Sequence, residues 1–149
     1  MFGVEDEATK TAVSAYVKLM RASHSVLNRT QPLLAAAGLT HVQLGVLEAL
    51  LHLGPLTQRD LTRKLLTSPG NLTDVIDKLA RRQLVQRVQC PEDRRRVRVV
   101  LTDAGRRFIE ELFPRHARDI AAAMRGLDQS ELLALQELLR RLGRVAAED

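Results

Sequence analysis

Three consecutive arginines occupy residues 94–96, directly behind Glu92 and Asp93. Adjacent guanidinium groups repel each other, so a loop that displays three of them together needs an anionic partner. DNA is such a partner, because negative potential is concentrated in a narrow minor groove and attracts arginine. The run therefore predicts a loop that enters a DNA groove. The residues concerned are Asp93, Arg94, Arg95 and Arg96.

A second set of polar residues begins where Ser68 precedes Pro69. Serine followed by proline is a strong start signal for a helix, because serine caps free backbone N–H groups and proline presets the first turn. Small polar side chains in that turn can meet base edges in the major groove, and basic side chains further along suit phosphates. The predicted contacts on this helix are Ser68, Gly70, Asn71, Thr73, Lys78, Arg81 and Arg82.

The distribution of charge favours the same partner. The chain of 149 residues has a formal net charge of +5. Residues 57–107 hold 13 Lys and Arg against 6 Asp and Glu, whereas the rest of the chain holds 10 against 12. A confined basic block is typical of a surface that binds a polyanion, since a merely solubilising surface would spread the charge.

Two consecutive helices are predicted to carry the second set of residues. The first begins at Thr57 and turns Leu61, Leu65 and Leu66 inward. The second begins at Ser68 and runs to about residue 83, with apolar side chains on one face and polar side chains on the other. This arrangement predicts a helix-turn-helix.

Two short strands are predicted on either side of the arginine loop. Residues 84–89 and 97–101 alternate apolar and polar side chains, as half-buried strands do, and the polar residues 90–96 join them. A hairpin after a helix-turn-helix makes a winged helix, which we place at residues 39–105. The predicted fold class is mainly α with a small β-hairpin.

Longer helices are predicted before and after this segment. Residues 9–36 form the first, and a capping box at Thr40 opens a second, strongly apolar helix. After the hairpin, Thr102 caps a helix in which Pro114 should cause a kink or a break. A second capping box at Asp128 opens a last, leucine-rich helix.

Residues 66–105 resemble the MarR family of transcriptional regulators. The matching marks are Ser-x-Gly-x-Leu-Thr at residues 68–73, Asp-x-Arg at Asp93 and Arg95, and Leu-Thr-x-x-Gly at residues 101–105. The flanking helices fit as well, so the resemblance covers nearly the whole chain. It implies a sequence-specific DNA-binding regulator, usually a repressor, with Arg95 in the minor groove and Asp93 holding the loop through a salt bridge. An ordinary solvated turn is the alternative for that pair.

The resemblance also implies a homodimer, in which the terminal helices of two chains interlock. Residues 1–38 and 106–149 would form the helical dimerisation region. Their helices are rich in Leu and Ala and are too apolar for one small domain to cover alone. Two-fold symmetry then predicts a palindromic operator with half-sites about 10 base pairs apart.

Two kinds of signal would release such a regulator from DNA. Family members often bind phenolic or other aromatic acids beside the dimer helices. The candidate effector-binding residues, for which core or interface roles are the alternative, are Tyr16, Met20, Arg21, His24 and His41. Cys90 lies in sequence beside several arginines, which favour a reactive thiolate and so suggest an oxidant sensor. The alternative is a small residue that closes the hairpin.

Other classes of function have little support in the sequence. The four histidines lack metal-site spacing and the chain has one cysteine, so we expect no metal and no cofactor. We find no nucleophile with a base, no phosphate-binding glycine loop and no suggestive carboxylate pair, so we expect no enzyme. A non-specific architectural DNA binder and a winged-helix protein-interaction adapter remain as alternatives. Because no signal peptide or long apolar run occurs, we expect a cytoplasmic protein with no membrane partner.

Overall fold

The computed structural model describes residues 6–147. In this range the chain divides into two compact units, one made of residues 30–118 and the other of the two terminal segments. The winged helix-turn-helix lies in the unit made of residues 30–118. The elements are α1 (Glu7–Ala36), α2 (His41–Leu53), β1 (Leu56–Thr57), α3 (Gln58–Leu65), α4 (Pro69–Arg81), β2 (Val85–Gln89), β3 (Val97–Leu101), α5 (Asp103–Ala123) and α6 (Gln129–Ala146).

The predicted helix starts are confirmed by their hydrogen bonds. At the start of α2, Gln43 N donates to Thr40 Oγ1 at 3.2 Å, and Thr40 N donates to the Gln43 side chain at 2.9 Å. The same reciprocal pattern caps α3 at Thr57 and α6 at Asp128. Such capping boxes satisfy backbone donors that the helix itself leaves free, so the local sequence fixes where each helix begins.

The small sheet contains the predicted hairpin and one strand more. β2 pairs antiparallel with β3, from Val85 opposite Leu101 to Gln89 opposite Val97. The additional strand β1 pairs with the other edge of β3 through Leu56 opposite Val99, giving the order β1-β3-β2. Sequence reasoning missed β1 because two residues are too few to show an alternating pattern.

One apolar core joins all the elements of residues 30–118. It extends past the predicted 39–105 segment on both sides, because Leu34 of α1 and Ile109 of α5 are fully buried in it. The inner stripe predicted for α4 is confirmed, so this helix is held with one face inward and the opposite face free. The buried side chains of that stripe are Leu72, Val75, Ile76 and Leu79.

One local prediction is wrong, and another is excluded in part. Leu66 does not lie on the inner face of α3, because the helix ends at Leu65 and Leu66 adopts a left-handed conformation (φ 50°) with 92% of its surface exposed. Of the kink or break predicted at Pro114, the break is excluded, since α5 continues from Asp103 to Ala123, and the kink stays a prediction. A proline removes a single backbone hydrogen bond, and the neighbouring turns of a long helix can retain theirs.

A polar pair is embedded in the same unit. His116 of α5 is 6% exposed, and its Nε2 lies 3.9 Å from Oε1 of Glu48 in α2. Burial raises the pKa of the Glu48 carboxyl, against a smaller opposing effect of His52. The raised pKa of Glu48 therefore couples the stability of this unit to pH.

The other unit leaves apolar side chains uncovered in this single chain. α6 has no buried residue, and α1 exposes Tyr16 and Met20. Within residues 6–147, no single helix is long and apolar enough to cross a membrane; only α1 and α2 as a bent pair meet that test of length and composition. The exposed large apolar side chains of α6 are Leu133, Leu138, Leu139, Leu142 and Val145.

Candidate nucleic-acid interface

The start of α4 presents a row of short polar side chains to solvent. Ser68 caps the helix, with its Oγ accepting from Asn71 N at 3.1 Å, and Pro69 occupies the first turn. The Asn71 side chain donates through Nδ2 to Thr67 Oγ1 at 2.7 Å, which fixes the orientation of its amide. Gly70 has open space where a side chain would begin, so a ligand can approach the backbone closely.

Thr73, one turn further, belongs to a hydrogen-bond network that sequence reasoning missed. Its Oγ1 donates to the Pro69 carbonyl at 3.1 Å and accepts from Gln58 Nε2 at 3.2 Å. Gln58 Oε1 accepts from Arg87 Nε at 2.9 Å, and Arg87 Nη2 lies 2.8 Å from Asp77 Oδ1. The network joins α3, α4 and β2 through residues 15 and 29 positions apart, so no local pattern reveals it.

The basic residues of α4 divide into two roles. Lys78 forms an exposed ion pair with Asp74 at 2.9 Å, and Arg81 is exposed on the same helix. Exposed pairs of this kind contribute little to stability, so a phosphate can replace Asp74 as the partner of Lys78 at low cost. Lys78 is therefore accessible, and its contact with a DNA phosphate stays a prediction.

Arg82 was predicted to contact DNA, and in the structure its guanidinium is hydrogen-bonded within the protein. Its Nη1 donates to the Gly38 carbonyl at 2.9 Å and its Nη2 to the Ala37 carbonyl at 3.0 Å. The guanidinium also lies over the Phe108 ring, 5.3 Å from its centre. Two of the five guanidinium N–H groups are thus engaged by carbonyls at the end of α1, while the side chain stays exposed, so the DNA contact of Arg82 stays a prediction.

The loop between β2 and β3, residues 90–96, is closed by backbone hydrogen bonds. Cys90 N donates to the Arg96 carbonyl at 2.9 Å, and Arg96 N donates to the Asp93 carbonyl at 3.0 Å. These bonds fold the acidic and basic residues into one tight turn at the tip of the hairpin. We call this turn, with strands β2 and β3, the wing.

The predicted salt bridge between Asp93 and Arg95 is confirmed. Arg95 Nε and Nη2 donate to the two carboxylate oxygens at 3.1 and 3.3 Å, and Arg95 N donates to Oδ1 at 3.0 Å. The hydrogen bonds from Arg95 hold the pKa of the Asp93 carboxyl below its usual value. The Arg95 side chain is nevertheless 91% exposed. The loop thus orients a guanidinium and leaves it accessible.

The arginines on either side are also exposed. Arg94 and Arg96 face solvent at the tip, and Arg98 on β3 lies 3.9 Å from Glu92. This concentration of positive charge on one projecting loop matches the electrostatics that a phosphate-lined groove requires.

The remaining candidates are less favourably placed. Cys90 is 3% exposed, so an oxidant can reach its thiol only if the wing opens. His24 Nε2 lies 2.9 Å from the Asn28 amide in one unit, and His41 Nε2 lies 3.1 Å from Thr30 Oγ1 in the other. Within residues 6–147, no three His, Cys, Asp or Glu side chains are grouped to hold a metal ion.

Two open cavities have linings that contain none of the predicted effector residues. The larger, about 580 Å³, lies in the terminal unit beside Asn28, Arg29 and Arg125. The smaller, about 230 Å³, lies in the other unit beside Phe108 and Arg115. The effector-binding role of Tyr16, Met20, Arg21, His24 and His41 therefore stays a prediction.

A capped helix with an exposed polar face, followed by a two-stranded wing with an exposed arginine, defines a winged helix-turn-helix DNA-binding protein. The MarR family model matches residues 39–97. The HTH-type transcriptional regulator YkoM of Bacillus subtilis is 35% identical over 138 residues, covering 93% of this chain and 90% of YkoM. The chain belongs to the MarR family, whose members are DNA-binding transcriptional regulators and not enzymes.

Solved structures give the same family fold. Bordetella bronchiseptica BpsR, whose DNA binding is regulated by 6-hydroxynicotinic acid, is 30% identical with a TM-score of 0.78, covering 87% of this chain and 98% of BpsR. Streptomyces coelicolor AbsC, a MarR family transcriptional regulator, has a TM-score of 0.85 and covers 100% of both chains. At 20% identity the AbsC similarity speaks for the fold alone.

Proposed function

We propose that this regulator is a cytoplasmic homodimeric repressor that binds a palindromic operator. In each half-site, α4 lies in the major groove and the wing enters the adjacent minor groove. The observation that carries the proposal is the Asp93–Arg95 arrangement, in which a guanidinium is oriented by two hydrogen bonds and remains 91% exposed. A narrow minor groove provides further negative potential, beyond that of Asp93, for such an exposed group.

The first turn of α4 supports the other half of the proposal. Ser68 and Asn71 are exposed, short and already oriented by local hydrogen bonds, so they lose little conformational entropy on meeting a base edge. Gly70 allows the backbone to come near the DNA. Lys78 lies two turns further along, where a phosphate can replace Asp74.

We propose that a second copy of the chain buries the exposed apolar side chains of α1 and α6. α6 exposes five large apolar side chains and buries none, although it begins with a complete capping box. Exposed apolar surface of this kind favours association at roughly 25 cal/mol per Å² removed from water. Dimerisation would also place two wings about a two-fold axis, which is why a palindromic site follows.

A small aromatic acid is the proposed releasing signal. Its support is the relative BpsR, whose DNA binding responds to 6-hydroxynicotinic acid. Oxidation of Cys90 is the less favoured signal because the thiol is buried. Release of DNA by peroxide or quinone that persists in Cys90→Ser would eliminate the sensor role of that thiol.

Non-specific architectural binding is the second candidate, since the charge of the wing would attract any duplex. Operator selectivity separates the two functions. DNA selected from a random pool should contain a palindrome, whereas an architectural protein would select none.

The wing assignment is tested by a fluorescence-anisotropy titration of the selected operator with Arg95→Ala. We expect binding to weaken by more than about 1 kcal/mol, the scale of one good groove contact. Lys18→Ala is the matched control, because it removes the same charge from α1, outside residues 57–107, and should bind almost as the unmodified protein does. Equal binding by Arg95→Ala and the unmodified protein would rule out the wing assignment.

A further inference from the structure

Gln58 is the first residue of α3, and its side chain bridges two other elements. The amide nitrogen donates to Thr73 Oγ1 in α4 at 3.2 Å, and the amide oxygen accepts from Arg87 Nε in β2 at 2.9 Å. Gln58 is half-buried, so the bridge lies at the junction of the helix-turn-helix with the wing.

The orientation of the Gln58 amide follows from its partners. An arginine guanidinium only donates, so the amide oxygen must face Arg87 and the amide nitrogen must face Thr73. Arg87 is itself held by Asp77, with 2.8 Å between Nη2 and Oδ1. Arg87, on strand β2 of the wing, thus determines which end of the Gln58 amide faces α4.

This orientation limits what the Thr73 hydroxyl can offer a ligand. A hydroxyl has one hydrogen to donate and two lone pairs to accept. The hydrogen is directed to the Pro69 carbonyl at 3.1 Å, and one lone pair accepts from Gln58. One lone pair remains, so Thr73 can accept a hydrogen bond from DNA but has no hydrogen left to donate.

We propose that Gln58 is a specificity-determining positioning residue that makes Thr73 an acceptor-only reader of base edges. A free threonine hydroxyl serves acceptor and donor bases alike, whereas this one suits adenine N6 or cytosine N4 and disfavours guanine O6 and thymine O4. The inference rests on the proposed placement of α4 in the major groove. It names the pair of bases that one operator position should carry on the strand facing Thr73.

The test is selection of bound DNA from a random pool with the unmodified protein, Thr73→Val, Gln58→Leu and the double variant. Thr73→Val keeps the side-chain shape and removes the hydroxyl, so it should abolish the preference for A or C at one position in each half-site. Gln58→Leu should reduce that preference by about 2- to 10-fold, the scale of one hydrogen bond, and leave the other positions unchanged. In the Thr73→Val background, Gln58→Leu should have no further effect at that position.

Two controls separate positioning from a general structural role. Gln86→Leu makes the same change on the exposed neighbour of Arg87 in β2 and should leave the selected sequence unchanged. Thr73→Ser keeps the hydroxyl and should retain the preference for A or C. Thermal unfolding followed by circular dichroism verifies that each variant is folded.

The outcomes that overturn the inference are distinct from failure of the proposed function. If an operator is selected but Gln58→Leu leaves its sequence unchanged, or if its effect adds fully to that of Thr73→Val, Gln58 does not act through Thr73. A selected operator with no position sensitive to Thr73→Val overturns it equally. If the unmodified protein selects no sequence at all, the proposed function itself fails, and this inference fails with it.

Discussion

Arg82 caps the C-terminal end of α4, and its guanidinium donates to the Gly38 carbonyl at 2.9 Å, across 44 residues of sequence. With the bond to the Ala37 carbonyl at 3.0 Å, it occupies backbone acceptors that α1 leaves free at its end. These two hydrogen bonds hold the C-terminal end of α4 against the end of α1.

Replacing Arg82 with alanine should destabilise the fold more than it affects DNA contacts. Two charge-assisted hydrogen bonds and a cation–π contact with Phe108 are lost, which at an exposed site amounts to about 1–2 kcal/mol in the free energy of unfolding. Urea denaturation gives the value, and Arg81→Ala, on the exposed part of the same helix, should change it by under about 0.5 kcal/mol. Equal stabilities of the two variants would show that the hydrogen bonds from Arg82 to the end of α1 do not stabilise the fold.

Two glycines should respond in opposite ways to alanine. A Cβ on Gly105 would lie 1.9 Å from the Leu84 carbonyl oxygen, whereas a Cβ on Gly70 would meet nothing within 4 Å. Gly105→Ala should therefore destabilise by about 2 kcal/mol or more, because a backbone atom must move. Gly70→Ala should leave thermal unfolding nearly unchanged and weaken operator binding. Normal stability of Gly105→Ala would show that the approach of α5 to Leu84 is not as close as described.

The Asp93 carboxyl should titrate below 3.8, because hydrogen bonds from Arg95 stabilise its charged form. Since the pKa of Asp93 is lowered in the fold, the ion pair stabilises the protein at pH values above the ordinary pKa of the carboxyl. This stabilisation is lost as pH falls through the lowered pKa. Carboxyl NMR on Arg95→Ala should show the midpoint moving up towards 3.8. Arg94→Ala should move it much less, and a midpoint unaffected by Arg95→Ala would mean that the salt bridge does not persist in solution.

Glu48 should make the protein less stable as pH rises. Burial raises its pKa above 4.5, so the unfolded chain loses the proton first and the free energy of unfolding decreases from about pH 4.5 through the raised pKa. Below that range its contribution is constant. Glu48→Gln, which stays neutral, should flatten the profile measured by urea denaturation at several pH values. The exposed Glu110→Gln should preserve the slope, and an equal slope in Glu48→Gln would contradict the burial effect.

Much of the fold follows from local sequence signals. The capping boxes at Thr40, Thr57 and Asp128 and the Ser68-Pro69 start fix the helices, and alternation fixes the hairpin. β1 was not predicted because it is two residues long. Leu66 was wrongly predicted to face inward because an apolar residue at the end of a helix can turn outward. These are effects of turn geometry and pairing that periodicity does not encode.

Side-chain contacts at the candidate site were predicted only where the two residues are close in sequence. Asp93 and Arg95 are two residues apart, and their salt bridge was expected and is present. Arg82 pairs with residues 44 and 45 positions away, and Gln58 pairs with residues 15 and 29 positions away. Such contacts depend on how the elements pack, so the sequence identified a polar surface without showing which of its groups are already engaged.

The central claim, selective binding of operator DNA through a basic surface, is tested most directly by anisotropy titrations of the selected palindrome across a range of salt concentrations. With about four phosphate contacts in each protomer, the dimer should give a log–log slope of roughly −7. The operator should also bind at least about 1,000-fold more tightly than unrelated DNA of the same length. A slope near zero, or equal affinity for the two DNAs, would contradict the proposed function.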